Sequence, residues 1–245
     1  MKSFRYLLFL LLLSVGCGKE EKIVFEEQLF NGENCSTCPE IRVKIPVALD
    51  NRKISETVND ALKEEVISLL AYDEGQQPGD IPEAISSFRK GFDKLQDEFP
   101  DETVPWEANI EAQVTFENED ILTIGLNSYI FTGGAHGYGS TRFLNFHKKS
   151  GQELDNSELF KNHKKFVEFA EDQFRRQQKI KPDQPINSTG FMFEGDEFYL
   201  PENIGYTENG LKLLYNPYEV ASYADGTIEL LLPYTDINSF LELKI

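Results

Sequence analysis

The chain has 245 residues, with 24 Lys and Arg against 42 Asp and Glu and a formal charge of −18. Its 19 Phe and 10 Tyr within 40% hydrophobic content supply enough apolar material for a packed core, which excludes a disordered acidic tail and a small disulfide scaffold. Nucleic-acid binding is excluded too, because displacing counterions from a phosphate backbone requires a positive field; basic proteins, cations and neutral ligands remain as partners.

Lys2 and Arg5 precede an apolar run, Tyr6 to Leu13, that closes on Ser14-Val15-Gly16-Cys17. A helix needs about 20 apolar residues to cross a bilayer, so this run reads as a cleaved signal segment. Its Gly-Cys ending resembles a bacterial lipobox, although Ser14 stands where that pattern places Leu. The expectation is a lipoprotein signal segment over 1–17, with Cys17 lipidated and holding the protein to a membrane. Residues 18–22, Gly-Lys-Glu-Glu-Lys, form an acidic and Lys-bearing tether that resembles a lipoprotein surface-export signal. The expected location is the cell envelope, as an outer-membrane lipoprotein exposed at the surface. Loss of Lys2 and Arg5 would leave the remainder still more acidic.

With Cys17 assigned to lipid, Cys35 and Cys38 form an even pair in an oxidising compartment, and a disulfide is expected. A thioredoxin-like redox site would need the first Cys at a helix N-terminus after a strand, whereas this pair lies in an Asn/Gly/Ser/Thr/Pro loop. A zinc site would need further ligands, and neither a second pair nor a nearby His is present. A staple for the loop is the expected role.

Ile23 to Phe30 and Ile41 to Leu49 read as strands, the second alternating through Ile41, Val43, Ile45 and Val47, with Pro46 marking an edge or an end. From Ile54 to Ala71 the period changes, and Ile54, Val58, Ala61, Leu62, Val66, Leu69 and Leu70 make the stripe of an amphipathic helix. Asp80-Ile81-Pro82-Glu83 signals the start of a second helix carrying Ile85, Phe88, Phe92, Leu95 and Phe99. Pro105 to Asn118 alternates again, with Trp106, Ala108, Ile110, Ala112, Val114 and Phe116 on one face. A turn at Glu119-Asp120 leads into Ile121 to Phe131, so the two form a long hairpin. Gly133 to Gly139 interrupts, and Thr141 to His147 resumes as a strand. A helix over about 162–179 follows, bearing the one basic island of the chain, Lys161, Lys164, Lys165, Arg175, Arg176, Lys179 and Lys181; acids interspersed along it make this a solvated face. Short strands separated by turns at Glu208-Asn209-Gly210 and Ala224-Asp225-Gly226 fill the last third. Helices grouped between strand runs predict an α+β fold, with antiparallel sheets and amphipathic helices packed on one face. Two α+β halves are expected, over 23–125 and 126–245.

Tyr129-Ile130-Phe131-Thr132-Gly133-Gly134-Ala135-His136-Gly137, followed by Asn145-Phe146, Leu154 and Leu159-Phe160, resembles a family of bacterial extracytoplasmic domains of unknown function. That family includes the outer domain of the lysozyme-binding anti-sigma factor RsiV and the non-catalytic region of the deacetylase PdaC. The closing pattern agrees in Tyr215-Asn216-Pro217-Tyr218-Glu219-Val220-Ala221-Ser222-Tyr223-Ala224-Asp225-Gly226 and in Leu232-Pro233-Tyr234. The strand ending in Ile45-Pro46 and the helix after it look like the companion N-terminal domain. The resemblance implies a binding or sensing module for lysozyme or cell-wall glycan, since the deacetylase's chemistry resides in a separate catalytic domain.

The residues themselves favour no reaction. A phosphate loop needs Gly-x4-Gly-Lys-Ser/Thr opening a helix, and the glycines around His136 lack the Lys and lie between strands. Neither His147 nor His163 stands at a ligand spacing from His136. Gly-x-Ser-x-Gly and His-Glu-x-x-His are absent, and adjacent acids such as Glu64-Glu65 follow from composition alone. No catalytic residue, metal or cofactor is expected. The candidate ligand-binding residues are Tyr129, Gly133, Gly134, His136, Tyr138 and Arg142. The alternatives are a cell-wall hydrolase using the His136 loop and a structural outer-membrane lipoprotein.

Overall fold

The computed structural model describes residues 22–35, 37–50, 52–72, 77–100 and 104–245. The signal segment, Cys17 and the tether up to residue 21 lie outside the described residues.

Two long helices follow the spacing of their apolar residues. In α1 (Lys53–Leu70), Ile54, Val58, Ala61, Leu62, Val66 and Leu70 are buried at intervals of three and four. Asp50 secures the turn before it, accepting hydrogen bonds from Ser55 Oγ at 2.5 Å and from the Arg52 backbone N–H at 3.1 Å. The Arg52 side chain bonded to this carboxyl holds it well below the usual carboxylate range. In α2 (Ile81–Glu98), the Asp80 side chain accepts from the Glu83 N–H at 2.8 Å, and Pro82 occupies the first turn.

These helices lie on one face of a six-stranded sheet ordered β1 (Phe25–Asn31), β2 (Glu40–Ala48), β3 (Glu107–Glu117), β4 (Ile121–Phe131), β5 (Tyr138–His147) and β6 (Gln152–Glu153). Every pair is antiparallel except β2 with β3, where the intervening helices return the chain to the same end of the sheet. Pro46 sits two residues past the last β2–β3 pair, Lys44 with Glu111, so its missing N–H costs no bond in that ladder. The disulfide forms between Cys35 and Cys38 in the loop joining β1 to β2. Trp106 is 1% exposed and sits in the first core among the rings of Tyr72, Phe88 and Phe92, at centroid distances of 5.0, 5.1 and 5.9 Å.

A second core surrounds α3 (His163–Gln177) and a sheet of β7 (Asn203–Thr207), β8 (Gly210–Tyr215) and β9 (Ile228–Leu232), closed by the short α4 (Tyr234–Ile237). On the basic helix, Arg175 pairs with Glu171 and Arg176 with Asp172, both one turn back.

β4 belongs to both cores. Leu122, Ile124 and Leu126 face the helices, while Ile121 faces the second core. β7 therefore packs on the side of β4 and β5 opposite α1. There the buried Asn145 side chain accepts from Thr123 Oγ1 at 2.9 Å and donates to the Ile204 carbonyl at 2.7 Å. A Cβ at Gly205 would lie 2.3 Å from Phe143 Cγ, so only glycine lets β7 come this close.

Two expectations need correction. The boundary after residue 125 falls within β4, where Gly125 and Leu126 are paired to β3 and β5 on either side, because one sheet serves both cores. The single apolar face expected from Trp106 to Phe116 breaks at its end. The register shifts between Val114 and Phe116, leaving Val114 37% exposed and turning Phe116 towards Tyr206 and Tyr234 of the second core. One extra residue in a strand reverses the side of all that follow.

Candidate ligand-binding site

The glycine-rich stretch is the hairpin loop between β4 and β5, and the two strands pair up to Ile130 and Tyr138. Gly133 and Gly134 have φ of 101° and 87°, values that bulkier residues rarely adopt, and open space surrounds both. Gly137 serves another purpose. A Cβ there would lie 2.5 Å from the ring of Tyr129, so the glycine lets that ring lie against the loop.

The loop folds against the segment 216–225 of the second unit. The His136 ring stacks on Tyr223 with centroids 3.9 Å apart and 15° between planes, and its Nε2 is 3.5 Å from the Tyr218 hydroxyl. Tyr223 donates its hydroxyl to the Gly137 carbonyl at 3.0 Å, and Tyr138 donates to the Pro217 carbonyl at 3.3 Å. Beneath them the Asn216 side chain grips Thr141 of β5, accepting from its N–H at 2.8 Å and donating to its carbonyl at 3.0 Å.

Several aromatic side chains nevertheless face solvent: Tyr129 is 37% exposed, Tyr138 41%, Tyr199 38% and Tyr218 56%. Tyr218 adopts φ of 73°, a strained backbone for a residue with a Cβ, held between Asn216 and the buried Val220. Tyr199 donates to the Glu219 carbonyl at 3.2 Å, joining the same group. Burial pushes the Tyr138 and Tyr199 phenols upward, with the Glu219 charge adding to it.

Arg142 does not belong to this cluster. It shares the helix-facing side of β5 with Leu144 and Phe146, and its Nε lies 3.1 Å from Glu65 on α1. Five of the six candidates thus lie in or beside the loop, and Arg142 serves the helix–sheet interface. The residues missing from the candidate set are Asn216, Tyr218, Glu219 and Tyr223. They stand in the closing segment that carried the family resemblance, and nothing local indicates that it meets a loop some 80 residues earlier.

His147 bonds through Nδ1 to Ser150 Oγ at 2.9 Å in the turn after β5, and His163 sits in the first turn of α3 beside Phe160. Among the described residues, no group of three or more His, Cys, Asp or Glu could hold a metal ion.

Burial pushes the Glu219 carboxyl above its ordinary range, against hydrogen bonds from Asn216 that lower it. Folding is therefore opposed by the charged form. The penalty is absent below the unfolded-state pKa and complete once the pH exceeds the folded-state value. Glu219→Gln should raise the melting temperature at pH 7 and leave it unchanged at pH 3; a gain of equal size at both would show that charge is not the cause.

Comparison with known proteins finds two matched segments. Residues 33–138 match the family model described as Deacetylase PdaC, and residues 157–235 match that of a protein of unknown function, DUF3298. The chain carries a domain of unknown function related to PdaC. His136 falls in the PdaC match, while Tyr218 and Tyr223 fall in the DUF3298 match, so the cluster forms where the two matched segments touch. A DUF3298 family protein from Pseudomonas aeruginosa PAO1 has a similar fold, with a TM-score of 0.61 and 18% identity over 91% of this chain and 96% of that one. A DUF3298 family member from Bacteroides fragilis NCTC 9343 gives 0.65 and 19% over 91% of this chain and 93% of its own. No curated protein matches the chain. Among the described residues, no helix is long and apolar enough to cross a membrane.

Proposed function

We propose that this PdaC-related chain is a non-catalytic binding module of the cell envelope, anchored by lipid on Cys17 to the outer membrane and exposed at the surface, with the junction around His136 as its ligand surface. The observation that carries this reading is the gathering of Tyr129, Tyr138 and Tyr218 in exposed positions around the His136 loop. Aromatic rings left in water at a junction between two cores offer flat apolar faces with polar tips, as suits a ligand with both apolar and hydroxyl surfaces. A cell-wall glycan has that chemistry. The matches to DUF3298 and to Deacetylase PdaC support an envelope setting.

A second reading, a basic protein ligand such as lysozyme, is favoured by the formal charge of −18. Calorimetric titration at low and high salt separates the two. Soluble peptidoglycan fragments should bind with little salt dependence and lose about tenfold in affinity, roughly 1.4 kcal/mol, in Tyr138→Ala/Tyr218→Ala. Lysozyme binding would weaken steeply with salt. Binding of neither ligand would sink the reading, and persistence of lipid labelling in Cys17→Ala would sink the anchor.

A further inference from the structure

β1 is the first strand of the large sheet, and its outer edge pairs with no other strand among the described residues. The bonds to β2 show which of its backbone groups point outward. Gly32 N–H donates to the Ile41 carbonyl at 2.9 Å, and Leu49 N–H donates to the Val24 carbonyl at 3.0 Å. Hydrogen-bonded pairs alternate along an antiparallel ladder, so Glu26, Gln28 and Phe30 bond inward while Glu27, Leu29 and Asn31 aim their N–H and C=O groups away from the sheet. The strand reads Phe-Glu-Glu-Gln-Leu-Phe-Asn, without the Pro, Lys or bulge that commonly blunts an edge, and Leu29 is 50% exposed.

Beside this edge, between β1–β2 and the two helices, lie two clefts of about 270 and 290 Å³ that share Phe30 and Pro82 in their walls. Ile45 and Leu62 line the first, and Ile41 and Ile85 the second. Gln28 and Phe30 point to this side of the sheet, as do their partners Ile45 and Val43. A strand added to β1 at the usual spacing of about 4.8 Å would direct alternate side chains towards the same clefts.

We propose that the β1 edge and this double cleft dock an extended, basic peptide segment of a protein partner, which adds to the sheet as a strand beside β1. Its alternate apolar side chains enter the clefts, and the main chain bonds to Glu27, Leu29 and Asn31. The charges around the site select a basic segment. Glu26 stands exposed on the strand and Asp80 lines the first cleft, while Glu27 and Glu33 beside them are paired with Lys44 and Arg89. Of the nearby cations, Lys44 is engaged by Glu27 and Glu111, Arg89 by Glu33 and Asp93, and Lys63 by Asp60, so the acids around the site outnumber these three. A second copy of this acidic chain is a poor occupant for the same reason. The inference does not rest on the junction around His136.

The test uses the full chain in detergent and short synthetic peptides. One with alternating Val flanked at both ends by Lys should bind, and the same peptide flanked by Glu should bind at least tenfold more weakly. On binding, the amides of Glu27, Leu29 and Asn31 should gain protection from hydrogen exchange, while those of Gln28 and Phe30, already bonded to β2, change little. Leu29→Pro removes one outward donor without touching the β1–β2 ladder and should abolish binding. Ile85→Glu, in a cleft wall, should do the same by a separate route and keeps the test valid if the proline variant does not fold. Failure of the Lys-flanked peptide to bind, equal affinity in both variants, or protection outside β1 would overturn the proposal. Concentration-dependent dimerisation that protects the same amides without peptide would overturn it too, by assigning the edge to a second copy.

Discussion

Gly205→Val is expected to lower stability by about 3 kcal/mol, at the upper end of what overpacking costs. The position allows no side chain: a Cβ alone would meet Phe143 Cγ at 2.3 Å and Cβ at 2.9 Å. Both residues sit in strands, so neither backbone can retreat without breaking a ladder. The expected drop in melting temperature is about 6–12 °C for a chain of this size. Phe143→Ala in the valine background should recover part of the loss, although Phe143→Ala alone destabilises, giving a coupling of at least about 1 kcal/mol. Urea melts of the four proteins measure it. Strictly additive effects would show that this contact does not limit how closely β7 approaches β5.

Phe174→Ala should cost about 3–5 kcal/mol, the range for deleting a fully buried aromatic ring. Phe174 is fully buried on α3, and Phe191, Phe193, Phe198 and Tyr215 surround it at centroid distances of 5.1, 5.4, 5.5 and 6.1 Å. Three of these partners belong to the segment 186–200, which has only short 3-10 turns of its own. Asn187 braces the segment internally, its side chain bonding both the N–H and the carbonyl of Phe193, and the segment rests on the core through these rings. Hydrogen exchange in the variant should therefore accelerate at 186–200 before it does in β7 to β9; uniform acceleration throughout the second core would contradict this account.

The site was half legible. The glycines announced a loop requiring positive φ between two strands, and His136 stood out within it. The assignment of Arg142 to that loop overlooked a signal already present: it lies two and four residues before Leu144 and Phe146, and a strand's period of two puts all three on one face. Tyr218 and Tyr223 could not be tied to His136 from spacing, because their meeting depends on where a second sheet comes to rest.

By itself the sequence determined the elements whose patterns are local. The three-and-four spacing of apolar residues made α1 and α2, Asp80 and Pro82 started α2, and alternation made β2 and, as far as Ala112, β3. Each depends on neighbours within a turn or a pleat, where backbone geometry alone decides which side chains share a face. Tertiary structure decided the rest: the parallel pairing of β2 with β3, the bulge that hands Phe116 to the other core, and β4 serving both cores. It also brought the His136 loop against Tyr218 and Tyr223. These follow from which apolar surfaces exclude water together and how closely backbones can approach, as at Gly205. Both are properties of pairs of residues far apart in the chain, which no local period records.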